Sequence, residues 1–478
     1  MLRTLFTALI ALVSTLLSAQ QYKALDASNP VAFDGKTIIY NGKTIPLNDK
    51  TFFVDGQLPD ETVAKYKFVF NSFNEAVKNL KDGDEKQPMT VYIAPYVYWI
   101  DNPDDPAIRA PQGDDRAPIG LHVNCNYLKV IGLTKNPVNV SLAANRGQSH
   151  GSKGNFTTFQ FTGNHLYFEN ITFGNYCNVD LEFPLKPALN RPKRSSSITQ
   201  AQLAFVSGDC IEAHNCRFIS RLNTCNLIGG KRTLFNNCHM ECTDDAMASG
   251  VYLNCSFDFY SSKPWGSTRG TGAVLLNCDF NIIQGARQYF TKVQGPVTAI
   301  DCRYTANSDV YIGWNQDPTD DFRGYQHNVR LNGKPIVINA DKPQVTVDIT
   351  DKPLADAYYF DYQGKRVYNV YNLLSGNDGW DPLKMKATVT DAEKQHNKTF
   401  RNLPTFLQLK PRNATVETGV TTANLQTELL LFSGENIKNN TKYNWQIIKN
   451  QKFAEITPNN ETCRVEGKNN EDEAQRVI

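Results

Sequence analysis

Between residues 215 and 304, polar and apolar positions recur as one phrase: Asn or Asp, then Cys, then any residue, then a large apolar one. The instances are Asn215-Cys216 with Phe218, Asn237-Cys238 with Met240, Asn254-Cys255 with Phe257, Asn277-Cys278 with Phe280 and Asp301-Cys302 with Tyr304. Successive cysteines lie 22, 17, 23 and 24 residues apart. A period in this range predicts a solenoid of short stacked strands, in which each coil buries its inward side chains only against its neighbours. The fold class expected is all-β, a right-handed parallel β-helix. Asn170-Ile-Thr-Phe173 extends the phrase 45 residues upstream of Cys216, about two coils by the same period.

Other patterns place the remaining elements. Phe73, Ala76, Val77 and Leu80 have helical spacing and predict a short amphipathic helix over 72–80 that caps the solenoid. Residues 89–99 alternate as a strand, and the coils are expected from about 63 to 347. The Pro-, Lys-, Arg- and Ser-rich stretch 184–197 breaks the period and reads as a loop thrown out of one coil. Residues 21–62 are turn-rich. Their two Gly-Lys-Thr triplets, at Gly35 and Gly42, lack the earlier glycine of a phosphate loop and read as hairpin turns. Residues 348–404 are rich in aromatics without the repeat and are expected to pack along the solenoid or end it. From 405 to 478 a separate β-sandwich-like unit is expected, with strands at Trp445-Gln-Ile-Ile, Phe453-Ala-Glu-Ile and Cys463-Arg-Val-Glu-Gly. This unit looks like a bacterial immunoglobulin-like module, which would need a further strand beyond Ile478.

Composition narrows the function. Fifty basic residues against 48 acidic ones give a formal charge of +2, which argues against a nucleic-acid partner held by a broad electrostatic footprint. Residues 1–20 have a basic start, an apolar run and a Leu-Ser-Ala site, the pattern of a signal peptide, so a secreted or periplasmic location is expected. No later stretch is apolar enough for a transmembrane helix. There are 11 cysteines. Five sit at the repeat mark, where stacked thiols serve as small apolar fillers rather than disulfide partners. No zinc-type pairing of Cys-x2-Cys motifs occurs, and no metal or cofactor is expected. Nothing in the sequence sets an oligomeric state.

One segment carries chemistry. Gln200-Ala-Gln-Leu-Ala204, Asp209, Cys216 to Thr224, Cys238 to Asp245 and Gly250, and Tyr260-Ser-Ser-Lys-Pro-Trp265 follow one another in the order of the motifs of pectin methylesterases, and over residues 65–320 the chain resembles that family. The resemblance implies hydrolysis of methyl esters on a pectin-type polysaccharide, without a cofactor. Position by position, it implies Asp245 as carboxylate nucleophile, Gln200 as an oxyanion donor and Trp265 as a sugar contact. Three positions depart. Leu222 stands for a second oxyanion glutamine, Asn223 for the general acid/base aspartate and Lys263 for the arginine that holds the nucleophile. Asparagine exchanges no proton near neutral pH, and losing general acid/base help costs about 10²- to 10⁴-fold.

The repeat supports the grouping on its own terms. Asn223 and Asp245 each lie seven residues after a repeat cysteine, Lys263 lies eight after Cys255, and Gln200 is 23 before Asn223, so all four are expected on one outer patch. Asp244, His239 or Glu241 are candidates for the missing acid. The pair Asp244-Asp245 with the following Ser249-Gly250 also resembles the element of polygalacturonase-type glycosidases, which leaves glycosidic or lyase chemistry open beside a purely polysaccharide-binding role. Trp265, Tyr289, Phe290 and Trp314 are candidate sugar-stacking rings, with burial in the core as the alternative. Arg287 and Lys292 are candidate lyase bases or clamps for a substrate carboxylate, with ordinary surface charge as the alternative. Asp317, Asp320 and Asp321 read as a solvated loop rather than a calcium site.

Overall fold

The Asn of the repeated phrase is a corner. Asn215, Asn237, Asn254, Asn277 and Asp301 all hold a left-handed backbone with φ between 48° and 55°, a region that Asn and Asp enter more readily than other side-chain-bearing residues. One strand ends there and the next leaves in a new direction, as Gly250–Leu253 does before Ser256–Phe259. In the computed structural model the described residues are 22–105, 107–108, 118–196, 199–221, 229–247, 249–268, 272–438, 441–468 and 475–478. The expected signal peptide lies outside them. They divide into two compact units, one of residues up to 204 with 213–220, the other of 205–212 with residues from 221 onward.

In the first unit, parallel ladders stack coil on coil. Thr51–Val54, Met89–Ile93, Leu128–Gly132 and Leu166–Glu169 form one, and Tyr96–Asp101, Val140–Ala144, Thr172–Asn175 and Arg217–Ile219 a second. Ile119–Val123 pairs with Phe156–Phe161 in a third. The expected helix is present over Phe73–Val77, with Phe73 and Ala76 buried. Gly35 and Gly42 adopt positive φ at the turns of the antiparallel hairpins Val31–Phe33, Thr37–Tyr40 and Lys43–Pro46.

One spacing is corrected. Phe173 lies directly opposite Phe218 in the ladder, with rings stacked 5.4 Å apart, so the 45 residues between them are one coil and not two. The surplus chain is the excursion around 184–196, pinned at its base by buried Leu181 and Phe183 against Val97, Tyr176 and Ile219.

The second unit carries the repeat further. Thr233–Asn236, Gly250–Leu253, Ala273–Leu276, Val297–Ile300, Gly324–His327 and Thr346–Asp348 form one parallel ladder. His239–Cys242, Ser256–Phe259, Asp279–Ile282, Arg303–Ala306 and Arg330–Leu331 form another. The chain is thus a parallel β-helix. Phe257, Phe280 and Tyr304 stack at 4.9 and 4.7 Å between centroids, each worth more than its buried area alone. The thiols of Cys255, Cys278 and Cys302 donate to the carbonyls of Leu253, Leu276 and Ile300. Burial pushes the Cys255 and Cys302 thiols up, so they stay protonated fillers. At the corners Asn277 donates to Asn254, and Asn328 to Asp301, both at 2.7 Å.

The aromatic extension lies along the first of these ladders, where Tyr358, Leu373 and Leu374 join Val251, Val274 and Ile300 in one core. Beyond it, Phe406–Lys410, Thr422–Leu430, Asn436–Ile437, Ala454–Asn459 and Thr462–Gly467 make one antiparallel sheet. The strands expected near Phe453 and Cys463 are among them. Trp445-Gln-Ile-Ile is not a strand; its indole instead donates to the carbonyl of Asn460. Among the described residues no helix is long and apolar enough to cross a membrane.

Candidate functional site

After the strand His239–Cys242 the chain runs along the rim of its coil through Asp244 and Asp245. Asp245 has φ of 54°, and its N–H donates to the Lys263 carbonyl on the next coil at 3.1 Å, while Ala246 N–H donates to Pro264 at 2.6 Å. Trp265 pairs with Thr291 on the coil after that, which sets Gly266 beside Lys292. A Cβ on Gly266 would come 2.6 Å from Asp245 Oδ1. The glycine therefore leaves the room in which the Asp245 carboxylate lies across one coil and reaches the second. There Lys292 Nζ donates to Asp245 Oδ2 at 2.8 Å and stands 3.8 Å from Asp244 Oδ2.

The cluster is open to solvent. The Asp245 side chain is 33% exposed and that of Lys292 50%. The hydrogen bond to Asp245 raises the pKa of the Lys292 ammonium, so it stays charged wherever the carboxylate is ionised. Asp245 Oδ1 makes no hydrogen bond with the described residues. An ionised carboxylate with one oxygen anchored and the other unbonded has the form of a held nucleophile.

Lys263 does not hold this carboxylate. Its backbone carbonyl receives the Asp245 N–H, and its ammonium runs on to Gln316 Oε1 at 3.1 Å. Of the two cations available, the one that meets Asp245 lies two coils away and was expected to clamp substrate. Its signal was present, since Lys292 follows Asp245 by 47 residues, two coil lengths. Gly266, 21 residues after Asp245, was also legible as the smaller neighbour in that column.

The stacking rings are corrected as well. Trp265 and Trp314 are fully buried and Phe290 nearly so. They form an internal column, with Phe290 5.9 Å from Trp265 and 5.5 Å from Trp314, and the Trp314 indole donates to Thr346. Side chains alternate in and out along a strand, and these rings fall on the inward phase, where no sugar reaches. Tyr289 is mostly buried too, its hydroxyl meeting Arg287 at 3.3 Å, while Arg287 itself is exposed and lies over the Tyr311 ring.

Gln200 is half-buried in the first unit, its carbonyl accepting from Gln148 and Phe156. Asn223 and Leu222 lie outside the described residues. Of the candidate acids, His239 meets Ser256 at 2.9 Å and Glu241 meets Arg221 at 3.2 Å. Asp244 is the candidate acid that shares the Lys292 ammonium with Asp245, at 3.8 Å. Asp320 is taken by Lys342 and Lys449, each at 3.1 Å. Among the described residues no group of three or more His, Cys, Asp or Glu is placed to hold a metal ion.

No protein-family model matches the chain, and neither does any curated protein. Among solved structures it is similar to the rice weevil pectin methyl esterase, at 13% identity and a TM-score of 0.31 over 62% of this chain and 80% of that one. The fold assignment rests on the strand ladders and not on this likeness.

Proposed function

We propose that the chain is an exported β-helix protein that hydrolyses methyl esters on a pectin-type polysaccharide, with Asp245 as nucleophile. The observation that carries the reading is the state of that carboxylate: anchored through Oδ2 to Lys292 at 2.8 Å, unbonded at Oδ1 and open to solvent. In the proposed cycle Oδ1 attacks the ester carbonyl carbon, the carbon–oxygen bond to the methoxy group breaks, and Asp244 gives the departing methanol its proton. Water then attacks the acyl-aspartyl anhydride, breaking its bond to Asp245 and releasing the sugar carboxylate; one of the two water protons returns to Asp244 and the other passes to solvent, so each turnover yields methanol and acid. Lys292 keeps Asp245 in place by charge without the planar fork of an arginine.

The test is methanol release from methylated pectin by the wild type and by Asp245→Asn. Release is expected from the wild type and at background in the variant. Release that survives the substitution removes Asp245 from the mechanism. The convergence of Asp244 and Asp245 on one ammonium favours a second reading, glycosidic cleavage by paired carboxylates, whose signature is new reducing ends without methanol.

A further inference from the structure

Beside Lys292 the wall of the solenoid opens into a cleft of about 810 Å³ whose far side is built by the C-terminal segment through Arg412 and Arg476. That volume lies within the roughly 300–1,000 Å³ of small-molecule sites. Its floor is organised. Gln294 and Thr319 hold each other by three hydrogen bonds of 2.7 to 3.0 Å, and Asp320 ties Lys449 of the C-terminal segment to the coil that bears Asp317 and Asp321.

Apart from Lys292, which meets Asp245, the charged side chains that line the cleft are unspent. Arg412 and Arg476 are exposed and their guanidinium groups form no ion pair or hydrogen bond with the described residues, and the carboxylates of Asp317 and Asp321 likewise lack partners there. Asn315, which also lines the cleft, is 3% exposed, and its Nδ2 is buried without a hydrogen-bond partner. Leaving a buried amide donor unmade is unfavourable, and a ligand oxygen would satisfy it. The described lining contains no aromatic ring, so recognition there runs through hydrogen bonds and charge rather than stacking.

We infer that this cleft is a subsite for a carboxylate-bearing oligosaccharide of the uronate type. Arg412 and Arg476 match a ligand carboxylate with planar, two-pronged donors, and Asp317 and Asp321 accept from sugar hydroxyls. The assignment rests on the proposed ester-hydrolase reading for its substrate class, because Lys292 borders both the cleft and the Asp245 carboxylate. A chain bound in the cleft passes directly beside the reacting group.

The test is calorimetric titration of the full chain with a fully demethylated oligogalacturonate, which has no ester to hydrolyse. Saturable binding is expected for the wild type and for Asp245→Asn. The double variant Arg412→Ala, Arg476→Ala is expected to lose about tenfold or more in affinity while keeping its circular dichroism spectrum, since both side chains are exposed. A neutral oligosaccharide of equal length is expected not to bind. Absence of wild-type binding, equal binding of the neutral sugar, or unchanged affinity in the double variant each overturns the subsite. Binding that follows the arginines in a protein that releases no methanol keeps the subsite and removes the esterase reading. Methanol release with an unchanged KM in the double variant does the reverse.

Discussion

Two carboxylate–cation clusters in the second unit use the same chemistry to opposite ends. Arg232 is 6% exposed, and its guanidinium spends its donors on Asp209 at 2.8 and 3.0 Å, on Asp378 at 2.7 Å and on the carbonyl of Leu374, with the Trp380 ring 5.6 Å away. It clamps the extension to the coil. Lys292 is half-exposed and makes one close contact, with Asp245. Burial with every donor satisfied makes an ion pair that fails badly when one partner is removed, whereas an exposed pair contributes little to stability and leaves lone pairs free to react. If Asp245 acts as proposed, the difference between a clamp and a reactive centre is how many of the polar atoms are already satisfied.

The largest effect that tests this contrast is kinetic. Asp245→Asn is expected to lower methanol release by at least about 10³-fold with unfolding by urea unchanged, because the proposed role of this partly exposed side chain is reactivity and not packing. A parallel loss of stability would erase the contrast. Next, Arg232→Ala is expected to destabilise by about 3 kcal/mol, since Asp209 is left mostly buried without its partner, while Lys292→Ala stays within about 0.5 kcal/mol. Equal shifts in the two urea midpoints would show that burial does not separate the clusters.

A smaller effect sharpens the geometry. Gly266→Ala places a methyl group against Asp245 Oδ1 and is expected to reduce methanol release by about tenfold, because it pushes the carboxylate off Lys292. Activity equal to wild type would mean that the Asp245–Lys292 contact is dispensable. The smallest effect is the pH dependence of the clamp. Hydrogen bonding to Arg232 lowers Asp378 from 3.8 to about 2, so the folded state holds this proton less tightly than the unfolded chain. Its contribution to stability is complete above about pH 4 and is lost as pH falls through 2. Urea midpoints between those values are expected to fall less steeply in Arg232→Ala than in the wild type.

Much of the solenoid is legible in the sequence, whereas the clamp at Arg232 and the pairing of Asp245 with Lys292 do not follow from it. The corner asparagines, the stacked Phe257, Phe280 and Tyr304 and the short helix at Phe73 follow from patterns of a few residues or from one fixed period. Asp245 stands out through the order of motifs that resembles pectin methylesterases, and its phase in the period agrees with that position. The same resemblance points to Lys263 rather than Lys292 as the partner of Asp245, and position along the chain does not say how far a side chain stretches past its nearest neighbour. Trp265 and Trp314 are candidates both for sugar stacking and for the core in the sequence, because short strands flanked by turns do not declare which face is inward.

The chain by itself determined the solenoid and its corners, since Asn tolerates a left-handed backbone and identical side chains gain most by stacking on their copies one coil away. Only the tertiary structure decided that Phe173 and Phe218 are neighbours across 45 residues, that a glycine lets Asp245 reach Lys292, and that Arg412 and Arg476 face the same wall. Those relations depend on how far excursions and side chains extend in space, and chain separation carries no record of that distance.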